Sequence, residues 1–322
     1  MSNFEQDYLT YLSGYVQASP LSTPPELPLA TATTPHPTRQ QGGKGQPERC
    51  RITLLTVVFN SEATLSETLS SVAEGMAHTE RMRPGETDLV EHIVIDGGST
   101  DASLDVLRTH DHQLNLWVSE PDGGMYDAVN KGISLAKGDL VHLVNSDDLL
   151  PKDACRHVLD AADALGWPED VVYKGDLSII DEHGTHLFRA RNLQSRWVPD
   201  IALLHPSWFV PRKLYERLGG YSVDFKISSD TEYFFRLLDA GARFEHIDEE
   251  LGAFRTGGMS SSFEGLPECL RIHGAYLGRR HATALMLRKL WLKGRREAVV
   301  QLVGQDRANQ IAMTLKRWTR RD

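Results

Sequence analysis

Two adjacent carboxylates, Asp147 and Asp148, follow Asn145-Ser146 directly after the apolar run Leu140-Val141-His142-Leu143-Val144. Such a run, bounded by polar residues, reads as a buried strand of a parallel sheet. In open α/β sheets, ligands bind at the carboxyl ends of the strands. Unpaired charge at the margin of a core is costly, so two acids in a row call for a partner. A magnesium or manganese ion (Mg2+ or Mn2+) takes oxygen ligands, and one or two carboxylates suffice when phosphate and water complete its shell. Such an ion would stabilise charge building on a departing diphosphate. The structural alternative is capping of the helix that Pro151 opens. One acid would be ordinary there; two after so apolar a strand favour a metal.

Other polar residues cluster at similar places. Asp96-Gly97-Gly98-Ser99 ends a second apolar run, where Asp96 could accept hydrogen bonds from a nucleoside and the glycines would let backbone approach a ligand. A tight turn with Ser99 or Asp101 capping the next helix explains the same residues. Asp122-Gly123-Gly124 precedes a helix carrying Asn130-Lys131-Gly132. Asp122 could read a base or ribose, and Lys131 could neutralise phosphate or be a solvated helix lysine. Ser229 and Glu232 fit a capping box that makes Asp230 the first helical residue. An acid there complements the helix dipole, and the same placement suits a rigidly held general base. His205-Pro206-Ser207-Trp208 could face a sugar, or His205 could be a hydrogen-bonded core histidine. Arg255 precedes a Gly/Ser-rich stretch, Thr256 to Ser262, that reads as a lid with Arg255 on a diphosphate or as an exposed loop. Arg189, Arg191 and Arg196 mark either an anionic acceptor or a solvated face.

The elements that must position these residues alternate. Ile52 to Phe59 reads as a first strand ended by Asn60-Ser61-Glu62, and Leu65, Leu69 and Val72 follow at helical spacing. His92 to Ile95 is a second strand and Leu114 to Val118 a third. Tyr126, Val129, Ile133 and Ala136 form one helix face, with Gly138 at its end. Strands alternating with helices predict βαβ units and an α/β fold with a mainly parallel central sheet. A helix from Pro151 to about Gly166 is followed by short strands at Val171–Tyr173, Leu177–Ile180 and His186–Phe188. Helices are expected over 211–218 and 229–240, and a helical, basic extension from about Leu266. Residues 1–17, with Phe4, Tyr8, Tyr11 and Tyr15 at helical spacing, suggest a short helix. The Pro-, Thr-, Ser- and Gly-rich stretch 18–49 reads as a disordered tether. The expected organisation is therefore 1–50, 51–265 and 266–322.

With 322 residues and a net charge of −9, the chain can bury a full core and does not look like a nucleic-acid binder. The charge is uneven: residues 279–322 hold twelve Lys or Arg and three acids, leaving −18 on the remainder. With Trp291 and several leucines, that segment suggests a basic amphipathic helix for an anionic membrane surface, or a helix packed on its domain with a solvated basic face. Three widely spaced cysteines, Cys50, Cys155 and Cys269, form neither a disulfide framework nor a zinc pattern. With no signal-peptide pattern, the expected location is cytoplasmic, peripheral at the inner membrane face if the basic segment binds there.

Taken in order, Thr56-Val57-Val58-Phe59-Asn60, Ile95-Asp96-Gly97-Gly98-Ser99-Thr100-Asp101, Lys131-Gly132 with Gly138-Asp139, Asn145-Ser146-Asp147-Asp148 and Ser229-Asp230 resemble the inverting family 2 glycosyltransferases with the GT-A fold. The likeness spans residues 52–262. The segment from His205 through Gly219-Gly220-Tyr221 to Met259 resembles the branch that builds bacterial cell-surface polysaccharides. The resemblance implies a nucleoside-diphosphate sugar donor and a saccharide or lipid-linked saccharide acceptor. It implies that the first strand and the Asp96 and Asp122 positions hold the nucleotide, that Asp147 binds the metal and that Asp230 takes the acceptor's proton. Together with the residue readings above, the expected donor site is Asn60, Glu62, Asp96, Ser99, Asp122, Lys131, Asn145 and Ser146, and the expected metal ligands are Asp147 and Asp148. The sequence departs from the family at Asn145, where many members carry the first Asp of an Asp-x-Asp triplet. It departs again at Ser229, where a Glu commonly precedes the base. A sugar-nucleotide-binding protein without catalysis is the alternative that Asn145 supports.

Overall fold

The computed structural model describes residues 38–182, 184–189, 205–257, 265–278 and 282. The chain divides into two compact units, 1–265 and 266–322. The first is built on a nine-stranded sheet: β1 (Gln40–Gly42), β2 (Cys50–Val58), β3 (Val90–Asp96), β4 (Leu116–Ser119), β5 (Gly138–Leu143), β6 (Val171–Asp181), β7 (Gly184–Phe188), β8 (Phe209–Pro211) and β9 (Arg243–Arg255). The order is β1-β4-β3-β2-β5-β8-β6-β7, with β9 paired to β6. β4, β3, β2 and β5 run parallel, as the apolar runs predict, because strands buried on both faces belong to parallel sheets covered by helices. The flanks differ. β1, β7 and β8 are antiparallel additions, whereas β9 is parallel to β6.

The helices of this unit are α1 (Leu65–Met82), α2 (Ser103–Thr109), α3 (Met125–Leu135), α4 (Ala154–Leu165), α5 (Arg212–Leu218) and α6 (Ser229–Asp239). Val72 and Met76 of α1 and Val158 and Leu159 of α4 pack with Ile52, Leu54, Leu140 and Tyr173. Leu65 and Leu69 pack with Val94, Leu107 and Trp117. α3 lies close to β2: a Cβ on Gly132 would come within 2.2 Å of Leu55 Cδ1. Gly132 is therefore a packing residue, since only a bare Cα allows that approach. One carboxylate crosses the sheet core. Glu91 is fully buried and accepts from Thr53 Oγ1 at 2.5 Å, Lys137 N at 2.6 Å and Gln46 Nε2 at 3.0 Å, which ties β2, β3 and the start of β5 together.

Two expectations change. The stretch 18–49 does not read through as tether: Gln40–Gly42 forms the edge strand beside β4. The apparent strands at 171–173 and 177–180 are one strand, irregular around Asp176, which carries its register to the ligand end of the sheet opposite β9. Residues 1–37 and 190–204 lie outside the described residues, as do most of the Gly/Ser-rich stretch and nearly all of the basic segment. In the second unit the helix α7 (Leu266–Tyr276) is formed as expected. Among the described residues no helix is long and apolar enough to cross a membrane.

Candidate active site

The carboxyl ends of β2, β3, β4 and β5 carry most of the predicted polar residues, and hydrogen bonds link the turn after β2 with those after β3 and β5. At the end of β3, Asp96 is fully buried. It accepts from Ser99 Oγ at 2.5 Å, Ser119 Oγ at 2.6 Å and the amides of Gly98 and Ser99 at 3.2 and 3.1 Å. It therefore shapes the turn. Ser99 Oγ in turn accepts the Asn60 amide at 2.8 Å, and Asn60 Oδ1 accepts the Thr100 amide at 2.8 Å. Glu62 Oε2 accepts the Ala102 amide at 2.8 Å. Asn60 and Glu62 thus cross-brace the turns after β2 and β3. Asn60 itself has φ +51°, a conformation Asn tolerates better than most residues.

Asp122 stands against this turn, since a Cβ on Gly97 would meet its Oδ2 at 2.5 Å. Its Oδ1 accepts the Gly124 amide at 2.8 Å. Burial raises its carboxyl above the usual range, opposed by the Gly124 amide and Lys131. Lys131 reaches back to the same turn: Nζ donates to Pro121 O at 3.2 Å and lies 3.5 Å from both Glu120 Oε1 and Asp127 Oδ2. Its ammonium is engaged in holding the Asp122 turn.

The acidic turn is held from three sides. Ser61 Oγ meets Ser146 Oγ at 2.7 Å. Thr64 and Thr68 hydroxyls, at the start of α1, donate to Ser146 O at 2.9 and 3.0 Å, and Thr68 also lies 2.8 Å from Asp148 O. From β9, Arg255 donates its amide to Asp148 Oδ1 at 2.9 Å, its Nε to Asp147 O at 3.1 Å and its Nη2 to Glu67 Oε2 at 2.8 Å. The expected pair of acids therefore divides. Asp148 is buried, both its oxygens accept hydrogen bonds (Oδ2 from Asn145 Nδ2 at 2.9 Å), and burial pushes its carboxyl up to about 7. Asp147 is half-buried; burial raises its carboxyl too, against its own amide and Arg255. Arg255 grips the turn that bears Asp147 and also pairs with Glu67.

A divalent cation fits this turn through few protein atoms. Among the described residues, no three His, Cys, Asp or Glu side chains converge as a metal cage. Asn145 Oδ1 is buried with no hydrogen-bond partner, a neutral oxygen on the same turn as Asp147. One carboxylate and one amide oxygen suit an ion whose remaining ligands are phosphate and water.

Asp230 lies in the first turn of α6, half-buried, with Oδ1 accepting the Thr231 amide at 2.6 Å. The capping box does not form. The cap position is Ser228, whose side chain makes no cap bond, and the Glu232 carboxylate pairs with Arg236 within the core at 2.8 Å. A buried guanidinium with further acceptors at Leu218 O and Gly220 O outcompetes a solvated cap. His205 takes the core role: it is buried, its Nε2 lies 2.6 Å from Tyr221 Oη, and burial lowers its pKa to about 3.

Two residues did not stand out from the sequence as parts of the site. Phe59 is 63% exposed at the end of β2, an aromatic face beside the Asp96 turn; its signal was an aromatic at the point where the buried run should stop. Tyr126 of α3 donates its hydroxyl to Ile227 O at 2.9 Å and accepts the Asp230 amide at 3.4 Å. Its spacing marked it only as part of a core face.

Comparison with known proteins gives one consistent result. The family described as "Glycosyl transferase family 2" matches residues 53–236. An uncharacterized glycosyltransferase of Mycobacterium tuberculosis is 31% identical over 191 residues, 58% of this chain and 68% of that protein. A PGL/p-HBAD biosynthesis glycosyltransferase of Mycobacterium bovis is 26% identical over 207 residues, 60% of this chain and 73% of the relative. Among solved structures, S. aureus TarS 1–349 in complex with UDP-GlcNAc superposes with a TM-score of 0.54 at 19% identity, over 74% of this chain and 71% of that one.

Proposed function

From the premise that this chain belongs to glycosyl transferase family 2, we propose that it moves a sugar from a nucleoside-diphosphate sugar to an acceptor hydroxyl with inversion at the anomeric carbon. The observation that carries this reading is the division of the acidic turn. Asp148 and Arg255 build it from within, leaving Asp147 and the unpartnered Asn145 Oδ1 for a ligand. The donor nucleotide lies along the turns braced by Asn60, Asp96, Ser99 and Asp122, with Phe59 offering its open face to the base. A nucleotide-sugar donor is supported by TarS, a structure of the same fold solved with UDP-GlcNAc.

Asp230 removes the acceptor's proton. The hydroxyl oxygen forms a bond to the anomeric carbon as the bond from that carbon to the diphosphate oxygen breaks; the proton passes to the Asp230 carboxylate and the nucleoside diphosphate leaves. The first turn of α6 holds that carboxylate on a rigid element, at the positive end of the helix dipole. Magnesium or manganese held by Asp147 and Asn145 would supply charge stabilisation for the diphosphate. The rest of the catalysis is positioning and fixed electrostatics. The acceptor is a saccharide or lipid-linked saccharide of surface-glycan assembly, a reading supported by the M. bovis relative described as a PGL/p-HBAD biosynthesis glycosyltransferase. The basic segment 279–322 would meet the anionic inner face of the membrane, with the enzyme in the cytoplasm.

A screen of nucleoside-diphosphate sugars with manganese, read as thermal shift and as nucleoside-diphosphate release, tests the proposal. One or a few sugar nucleotides should both stabilise the protein and be hydrolysed slowly. No shift and no release with any of them would remove the donor assignment.

A further inference from the structure

The amide at the second position of a helix has no partner inside the helix and needs an acceptor from elsewhere. In α6 that amide belongs to Asp230, and the preceding Ser228 provides no side-chain cap. The acceptor comes from another element: Tyr126 Oη accepts the Asp230 amide at 3.4 Å while donating to Ile227 O at 2.9 Å. One hydroxyl thus bridges the last turn before the helix and the first turn inside it. Tyr126 is buried and is the second residue of α3, two positions after the Asp122-Gly123-Gly124 turn.

One turn further on, the same helix grips the chain that leads into α6. Asn130, also buried, exchanges two hydrogen bonds with the Tyr221 backbone, Nδ2 to O and Oδ1 from N, both at 2.8 Å. The Tyr126 ring stacks on Tyr221 at 5.5 Å with 25° between planes, and Tyr221 Oη is fixed in turn by His205 and Tyr215. Packing alone would be met by phenylalanine at 126. The hydroxyl serves the α6 turn, and the helix that supplies it begins at Met125, directly after the Asp122-Gly123-Gly124 turn.

We propose that Tyr126 is a positioning residue that caps α6 from the neighbouring helix and so fixes the backbone of Asp230 to the element leading from the Asp122 turn. The proposal rests on the reading of Asp230 as the base. It makes the aim of the base a property of the nucleotide-side helix, so that the two halves of the site move as one piece.

The test is Tyr126→Phe in the full chain, which keeps the ring and removes the hydroxyl. Hydrogen exchange measured without any ligand should rise about tenfold or more in the segment 227–233, with little change in the sheet strands. With the sugar nucleotide selected by the screen, kcat should fall about tenfold while the donor KM stays within about twofold. Unchanged exchange in 227–233, or a kcat near that of the wild type, overturns the proposal. Asp230→Asn separates the two ideas: turnover surviving in that variant removes the base assignment, whereas the exchange comparison is read without substrate and fails only if the cap is wrong.

Discussion

The Arg255 amide donates to Asp148 Oδ1 across 107 residues of sequence, and that bond divides the work of the two acids after β5. With Asn145 Nδ2 on the other oxygen, Asp148 becomes the internal pin of the turn. Replacing it by alanine would leave the part-buried Arg255 amide and the Asn145 amide group without these acceptors. Asp148→Ala should therefore destabilise the protein by about 2–4 kcal/mol, measured by urea unfolding. A loss below about 0.5 kcal/mol, the range of ordinary surface changes, would show that the turn is held without it.

Asp147 should behave in the opposite way. Its carboxyl is half-buried and burial raises its pKa, so the fold gains little from its charge. Asp147→Ala is expected to leave stability within about 1 kcal/mol of wild type and to abolish the manganese-dependent part of binding of the sugar nucleotide that the screen selects, read by calorimetry with and without manganese. Identical titrations for variant and wild type would exclude Asp147 as a metal ligand.

Much of this was legible in the sequence, for identifiable reasons. The central strands are apolar on both faces and could be read directly. Asp96, Asp122, Asp147 and Asp230 stand where strands or turns end, so their positions followed from the alternation of elements. What could not be read depends on partners far along the chain. The capping box of Ser229 and Glu232 obeyed a local rule that lost to Arg236 and the carbonyls of Leu218 and Gly220. Lys131 fitted a phosphate or solvent equally well until Glu120, Pro121 and Asp127 appeared around it. The edge strand at Gln40–Gly42 is three residues long and polar, and only its pairing with Trp117–Ser119 makes it a strand.

Asp230→Asn tests the base. The amide keeps the shape of the side chain and an acceptor for the Thr231 amide, so folding and nucleotide binding should persist. Transfer should drop by at least about a hundredfold, the lower range for loss of a general base. Near-normal turnover would refute the assignment.

Acid sensitivity should come from the buried histidines. Burial lowers His92 to about 3, His142 to about 4 and His205 to about 3, against about 6.5 in an unfolded chain. The unfolded state therefore binds protons between about pH 6.5 and 4 that the folded state refuses, so stability rises with pH across that window and is lost as pH falls. The contribution is fully present above about pH 6.5, and each histidine removes roughly 1.4 kcal/mol per pH unit below it. The urea midpoint should fall steadily from about pH 7 to about pH 5. His142→Gln, which keeps a donor for the Trp208 carbonyl that His142 Nδ1 holds at 2.8 Å, should be less stable at neutral pH but lose roughly half of the net slope, because Asp148, raised to about 7, protonates in the folded state over the same window and offsets one histidine. A midpoint that does not change over this range, or an unaltered slope in the variant, would place the acid lability on other groups.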